Sequence, residues 1–328
     1  MLLGLDIGVS SLKAGLVDFT GKIVRVEAIP TPGSLVDFQR LADNMLSRLA
    51  SGLAIDGAGI GCPGVISPAD TKVETLPGSL SYLQGVSLSD FVTRWVPADA
   101  TICADNDARA ALAGELMFGA ARGRKSALML ALGAGIGGAI AVNGMLVSGH
   151  RGAAGQVAHL TVDPDGPPCY CGNRGCLETY FSAGAFEIEA SAAVRRGCDS
   201  LLTRRFGENP LAITCAEVFA CAGDGDTVAR AIVERGLKYL GGAIAGLLHV
   251  LDSEIVIIGG ALATAASPLL EPLRKDVERR TSRFLGRVVP LAAATAGEHA
   301  GVIGAAALTL HAARSERIKL GAVPALVS

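Results

Sequence analysis

The chain has 328 residues, of which 50% are hydrophobic and 18% are charged. This length suggests about two domains, and the composition excludes an intrinsically disordered protein, which needs few hydrophobic residues and much charge. The 29 Lys and Arg residues nearly balance the 31 Asp and Glu residues, so the net charge is −2. No overall positive charge attracts nucleic acid or an anionic membrane, and neither is an expected partner.

The first 120 residues carry the pattern of one α/β unit. Apolar runs on either side of a glycine turn predict a strand, a tight turn and an antiparallel strand, and apolar residues spaced by three or four predict an amphipathic helix. The predicted elements are strands over residues 2–6 and 12–19, a helix over 36–53, strands over 58–61 and 101–104 and a helix over 108–117.

The rest of the chain repeats this opening pattern. Strands are predicted over 127–132 and 136–142, separated by glycines, and the repetition indicates a duplicated α/β domain. The same segment has no charged residue between Lys125 and His150, but its glycines break it, so two strands fit better than a membrane-spanning helix. Later elements are a helix over 228–251, a buried strand over 254–258 that ends at Gly259 and Gly260, and a helix over 300–313.

The N-terminus and the cysteines indicate the compartment. Met1–Asp6 lacks the basic region of a signal peptide, so we expect a cytoplasmic protein. Three of the eight cysteines cluster at Cys169, Cys171 and Cys176, and in such a protein a cluster indicates a metal site before disulfides.

These three cysteines and His159 lie within eighteen residues of sequence. Three thiolates and one imidazole, with prolines and glycines between them to bend the chain, predict a closed tetrahedral Zn²⁺ site. Because four protein ligands leave no open position, the zinc is expected to be structural and not catalytic. The alternative is a chance grouping of free thiols.

The first turn has features of a phosphate site. Asp6 stands at a strand end, small residues including Gly8 and Ser10 follow, and Lys13 lies in the next strand. Such a turn can offer backbone N–H groups to phosphate, while the carboxylate holds a hydrated Mg²⁺ and the lysine adds positive charge. The alternative is a hairpin with an exposed acid.

The second glycine turn contains Gly133, Gly135, Gly137 and Gly138. A dinucleotide-binding turn must open a helix, whereas this one is followed by a second apolar strand. A phosphate-binding hairpin is therefore favoured over a nicotinamide site, and glycines required only for a tight turn remain the alternative.

Asn106 and Asp107 stand between a predicted strand and helix. One of Asp105, Asn106 and Asp107 suffices as the helix cap, so at least one is spare. A carboxylate at this place can accept a hydroxyl proton during phosphoryl transfer. Capping and catalysis both remain open from this motif alone.

Taken together, these motifs resemble the ROK family of repressors, open reading frames and sugar kinases. The match runs from Asp6 to Gly304, and its most specific part is Cys-x-Cys-Gly-x-x-Gly-Cys-x-Glu over Cys169–Glu178. The resemblance implies an α/β, two-lobed actin-like ATPase (ribonuclease H-like) fold with a zinc-binding insertion. The implied lobes are a small one over 1–118, completed by the C-terminal helix 299–315, and a large one over 119–298 that contains the zinc motif 159–178.

The resemblance further implies an ATP-dependent, glucokinase-like hexose kinase, in which Asp107 takes the proton of the sugar 6-hydroxyl. ATP, Mg²⁺ and structural Zn²⁺ are the implied cofactors, and a homodimer is the common assembly. The implied sugar-binding residues are Gly64, Asn106, Gln156, His159 and Glu178. The implied nucleotide-binding residues are Asp6, Gly8, Ser10, Lys13, Gly133, Gly135, Gly137, Gly138, Gly259 and Gly260.

Several positions depart from the family pattern. Gln156 replaces a sugar-binding glutamate, Ala134 removes a hydroxyl from the second turn, and Arg109 stands where asparagine is common. Two alternatives therefore stay open: a catalytically weak or silent sugar-binding regulatory protein, and a kinase for an N-acylated hexosamine. A family repressor is disfavoured, because Met1 is too near Asp6 to leave room for a helix-turn-helix.

Overall fold

The structure is a computed structural model that describes residues 1–265 and 269–319. The strands are β1 Leu2–Ile7, β2 Ser11–Val17, β3 Ile23–Pro30, β4 Gly57–Cys62, β5 Val65–Ile66, β6 Val73–Thr75, β7 Thr101–Asn106, β8 Ala127–Leu132, β9 Ile136–Val142, β10 Met145–Leu146, β11 Ile255–Gly259 and β12 Leu291–Ala293. The helices are α1 Leu35–Ala50, α2 Asp107–Met117, α3 Ala183–Arg195, α4 Leu201–Phe206, α5 Cys215–Gly223, α6 Thr227–Leu251, α7 Ala261–Ala265, α8 Leu270–Leu285 and α9 Ala300–Lys319.

The chain forms two compact units, and the first comprises residues 1–127, 139–155 and the described residues from 294 onward. Its sheet has the strand order β3-β2-β1-β4-β7. The pairs β1–β2 and β2–β3 are antiparallel, whereas β1–β4 and β4–β7 are parallel. The carboxyl ends of β1, β4 and β7 therefore meet at one edge of the sheet, where α/β proteins usually bind ligands.

Glycines in β1 and β4 let the backbone of α9 pack directly against the backbone of this sheet. A methyl group on Gly59 would lie 1.7 Å from the carbonyl oxygen of Ala305, and one on Gly4 would lie 2.1 Å from that of Val302. The other face of the sheet is covered by a core that includes Leu5, Phe38 and Met45. Because both faces are buried, β1 and β4 consist almost entirely of apolar residues and glycine.

The second unit comprises residues 128–138 and 156–293. The second five-stranded sheet has the order β10-β9-β8-β11-β12, the same 3-2-1-4-5 arrangement of successive strands as in the first sheet. This repeated order matches the duplication predicted from the sequence. In the second unit α6 packs against α5 and α8, and the buried rings of Phe181 and Phe186 meet edge to face at 5.2 Å.

No helix within the described ranges is both long and apolar enough to cross a membrane. All eight cysteines are free of disulfides.

Candidate active site and metal centre

The first unit brings Asp6, Lys13 and Asp107 together at the carboxyl edge of its sheet. Asp6 is in register with Lys13 on β2 and with Gly61 on β4. A methyl group on Gly61 would lie 3.7 Å from Asp107 Cα and 4.0 Å from Asp6 Oδ1. The missing side chain at Gly61 therefore leaves space between the Asp6 carboxylate and the start of α2.

The side chains of Asp105, Asn106 and Asp107 all accept hydrogen bonds at the start of α2. Asn106 is the helix cap, since its Oδ1 accepts from the Ala108 N–H at 3.0 Å while its Nδ2 donates to the Gly64 carbonyl at 3.1 Å. Asp105 accepts from Arg109 Nε at 2.6 Å. Asp107 Oδ1 also accepts from the Ala108 N–H, at 2.9 Å. Asn106 and Asp107 therefore share the Ala108 N–H, so capping of α2 does not depend on Asp107 alone.

The environment disfavours negative charge on both carboxylates. Burial and the negative charge of Asp107, partly offset by the positive charge of Lys13, together raise the pKa of Asp6 to about 6. Burial also raises the pKa of Asp107, against the lowering influence of the Ala108 N–H and of Arg109. Two neighbouring carboxylates of this kind fit a hydrated divalent cation, whose charge would relieve the repulsion between them.

The first turn is fixed from the end of β3. Thr31 Oγ1 donates to the Gly8 carbonyl at 2.6 Å, and the Thr31 N–H donates to the Ser10 carbonyl at 3.2 Å. Strand β3, which the sequence analysis did not predict, thus supports the predicted phosphate turn. A second contact was also missed: a methyl group on Gly301, in the first turn of α9, would lie 2.1 Å from Asp6 Oδ2. Only glycine at 301 leaves room for the Asp6 carboxylate.

The second unit brings together its own glycine turn, Glu178 and the glycine pair at the end of β11. The Ile136 N–H donates to Glu178 Oε2 at 2.8 Å, and a methyl group on Gly135 would lie 2.4 Å from the same oxygen. Gly260 has φ +87°, and its methyl would lie 2.2 Å from the carbonyl oxygen of Leu132, the last residue of β8. Gly133 begins the turn, Gly137 and Gly138 lie within β9, and Gly259 is the last residue of β11.

The four predicted zinc ligands converge in the second unit. One ligand atom from each of His159, Cys169, Cys171 and Cys176 lies within 4.8 Å of the other three. The Cys171 and Cys176 sulfurs are 3.7 Å apart, and Cys169 Sγ is 3.7 Å from His159 Nδ1. Zinc–sulfur bonds of 2.3 Å in a tetrahedron require sulfurs about 3.8 Å apart. The geometry therefore fits a tetrahedral zinc ion, with Nδ1 as the histidine ligand atom.

Two further predicted sugar residues flank this cluster. Gln156 is exposed and precedes a short 3₁₀ turn over Val157–His159, where its carbonyl accepts from the His159 N–H at 3.1 Å. Glu178 follows Cys176 by two residues in a second 3₁₀ turn, Leu177–Thr179. The predicted metal ligands His159 and Cys176 thus lie within or next to these two turns.

Comparisons with known proteins agree with this architecture. The model of the ROK family matches residues 2–312. A glucokinase from Halalkalibacterium halodurans is 33% identical over 312 residues, covering 92% of this chain and 92% of its own. Among solved structures, a ROK hexokinase from Thermus thermophilus has a TM-score of 0.80 at 28% identity, covering 96% and 99% of the two chains. A ROK glucokinase from Streptomyces griseus, in complex with glucose and AMPPNP, has a TM-score of 0.76 at 28% identity, covering 94% and 98%.

The two repeated sheets and these structural matches define an α/β protein with the actin-like ATPase fold. The chain belongs to the ROK family. The predicted family and fold class are therefore both confirmed.

Proposed function

We propose that this chain is an ATP-dependent hexose kinase that transfers the γ-phosphoryl group of ATP to the 6-hydroxyl of a glucose-like sugar. Membership of the ROK family, and the similarity to proteins named glucokinase and hexokinase, support the coarser statement that it is an ATP-dependent sugar kinase. The similar Streptomyces griseus enzyme, solved with glucose and AMPPNP, supports glucose and ATP as the substrates to test first.

The observation that carries the proposal is the position of Asp107. Its carboxylate stands at the first residue of α2 beside Asp6, and Asn106 performs the capping. An alcohol holds its proton tightly at neutral pH and phosphoryl transfer has a loose transition state. Asp107 therefore orients the hydroxyl and accepts its proton late in the transfer, and its raised pKa makes it a better base than an ordinary aspartate.

Asp6 and Lys13 serve the phosphate groups in this proposal. Asp6 is the carboxylate that would hold hydrated Mg²⁺, which neutralises phosphate charge when bound. Lys13, across the strand pair from Asp6, adds a fixed positive charge. In the second unit, the glycines at 133 and 135 would let a phosphate group approach the backbone of the turn, and Gly260 keeps the chain after β11 close to that turn.

The zinc cluster has a structural role in this proposal. Four protein ligands complete a tetrahedron, so the ion would have no position for a substrate. Zinc would hold the turn of Gln156 and His159 against the turn of Glu178, the three residues expected to contact sugar.

The position of phosphorylation can be tested with substrate analogues. We expect glucose to be phosphorylated, 6-deoxyglucose to inhibit competitively without turnover, and methyl glucoside, blocked at carbon 1, to remain a substrate. ³¹P NMR of the product from glucose identifies the phosphorylated carbon. Turnover of 6-deoxyglucose would contradict transfer to the 6-hydroxyl.

An N-acylated hexosamine is the second candidate substrate, because of the neutral Gln156. A carboxylate accepts from two hydroxyl groups, whereas an amide offers one acceptor and two N–H donors that suit an acyl oxygen. Comparing kcat/KM for glucose and N-acetylglucosamine distinguishes the two candidates.

A further inference from the structure

Arg109 is fully buried, which is rare for a charged residue. It is the third residue of α2, where the helix dipole disfavours a cation. All three of its guanidinium nitrogens have partners. Nε donates to Asp105 Oδ1 at 2.6 Å, Nη1 donates to the Ala154 carbonyl at 2.9 Å, and Nη2 donates to the Gly152 carbonyl at 2.9 Å.

These bonds join the strand–helix junction that carries Asp107 to a remote segment. We name residues 147–155, between β10 and Gln156, the 147–155 loop. The carbonyls that Arg109 binds belong to residues 43 and 45 positions further along the chain. The charge of Arg109 is balanced by Asp105, whose Oδ1 also accepts from the Asn106 N–H at 2.8 Å. One guanidinium thus orients both the junction and the loop.

The loop is shaped to receive this anchor. Gly152 has φ +82°, and a methyl group there would lie 2.0 Å from the carbonyl of Ile66 in β5. Arg151 forms an ion pair with Glu74 of β6 at 2.8 Å. The loop therefore runs against the hairpin β5–β6, which follows Gly64 directly, and Arg109 binds two of the loop's carbonyls. The chain then passes through Gly155 to Gln156.

We propose that Arg109 is a positioning residue that fixes the 147–155 loop relative to the junction bearing Asn106 and Asp107, and thereby sets turnover and sugar selectivity. This inference rests on the proposed kinase function. Lysine cannot replace the anchor, because its single ammonium nitrogen cannot reach three separate acceptors in the geometry of a planar guanidinium. Misplacement of reacting groups by about 1 Å can lower a rate by as much as about 100-fold.

The test compares the wild-type protein with Arg109→Lys and with Arg287→Lys as a matched control. Arg287, on the loop after α8, has similar chemistry: its Nη2 donates to the Asp252 carboxylate at 2.7 Å and to the Ser253 carbonyl at 3.0 Å. Each variant is assayed for kcat and KM on glucose and mannose with ATP. Hydrogen exchange is measured in peptides covering the 147–155 loop.

For Arg109→Lys we expect faster exchange in the loop, a roughly 10-fold or greater loss of kcat/KM on glucose, and a changed ratio of kcat/KM between glucose and mannose. Arg287→Lys should lower thermal stability while leaving loop exchange and the sugar ratio unchanged. A folded Arg109→Lys protein with wild-type exchange in the loop, or with wild-type kcat/KM and sugar ratio, overturns the proposal.

If Arg109→Lys does not fold, Arg109→Asn provides the decisive variant, since asparagine is small enough to fit and cannot reach both carbonyls. Wild-type kinetics in folded Arg109→Asn would overturn the proposal. The proposal is also overturned if hydrogen exchange in the 147–155 loop of the wild-type protein is as fast as in an unstructured peptide. Hydrogen exchange does not depend on turnover, so absence of kinase activity contradicts the proposed function while the anchoring by Arg109 is still tested.

Discussion

Replacing Asp107 by asparagine separates catalysis from helix capping. The amide has the same shape but cannot accept a proton, so we expect turnover to fall by about 100-fold or more, which is about 2.7 kcal/mol of transition-state stabilisation. Sugar affinity should change little. The cap provided by Asn106 remains in place, so the loss of about 1 kcal/mol that follows removal of a cap is not expected.

The same substitution should stabilise the folded protein. Burial and the charge of Asp107 raise the pKa of Asp6 from 3.8 to about 6. A carboxyl with a raised pKa destabilises the fold when ionised; this penalty is absent below pH 4 and complete above the raised pKa. Without the negative charge of Asp107, the free-energy cost of burying that charge is absent, and the free-energy cost of ionising Asp6 is smaller. The variant's gain in the free energy of unfolding, on the order of 1 kcal/mol, should therefore grow as the pH rises from about 4 to 7.

Asp37→Asn is the matched control, because Asp37 lies in the first turn of α1. Its pKa is lowered by hydrogen bonds from Arg40 and Ser34, so its ionised form stabilises the fold and the asparagine variant should be slightly less stable at neutral pH. Its turnover should equal that of the wild-type protein. Coupled measurement of ADP release and urea titrations at several pH values cover both predictions. An Asp107→Asn protein that unfolds more readily, yet turns over normally while folded, refutes the role of Asp107 as a base.

Three other changes have defined outcomes. Cys171→Ser should reduce the zinc content from one ion per chain to well below one and weaken sugar binding, whereas the control Cys198→Ser, outside the cluster, should keep the ion. Elemental analysis and sugar titration measure the two effects. Full metal content in Cys171→Ser contradicts the prediction. Gln156→Glu should raise kcat/KM on glucose roughly 5-fold, because a charged hydrogen bond exceeds a neutral one by about 1 kcal/mol; Gln84→Glu controls for added charge, and an equal fall on every sugar shows that Gln156 does not select the substrate. At limiting Mg²⁺, kcat/KM should increase as the pH rises through about 6, because Asp6 ionises there. Added Mg²⁺ should shift the midpoint of this increase to lower pH. A midpoint that Mg²⁺ does not shift contradicts the role given to Asp6.

Local patterns were sufficient to predict several elements. The helix predicted over 228–251 is α6, Thr227–Leu251, and the strands predicted over 127–132 and 136–142 are β8 and β9. The two strands have continuous apolar runs because they are buried along most of their length, whereas α6 has apolar residues at helical spacing along the face that it buries. Strand β3 was missed because it lies at the sheet edge, where Val24 and Arg25 are exposed, so burial imposes little pattern on its sequence.

At the predicted site, too, groups of residues that are close in sequence were predictable, whereas contacts between residues far apart in sequence were not. The zinc ligands were predictable because all four lie in one short segment and the donor types identify the metal. The bond from the Ile136 N–H to Glu178 joins residues 42 positions apart, and no local pattern indicates it. After Asp107, the charged residues of the otherwise alanine-rich helix α2 are Arg109 and Glu115, and both are buried. Charged residues within an alanine-rich helix were the one signal in the sequence that these two side chains are held in place by partners.

The most direct test of the central claim is ADP release by the purified protein with ATP and Mg²⁺, measured across a panel of hexoses and N-acetylated hexosamines. A sugar-dependent release, largest with one glucose-like hexose and about 100-fold or more slower in Asp107→Asn, is the predicted result. If calorimetry shows that a sugar binds but no sugar supports ADP release, the protein is a sugar-binding regulator and not a kinase.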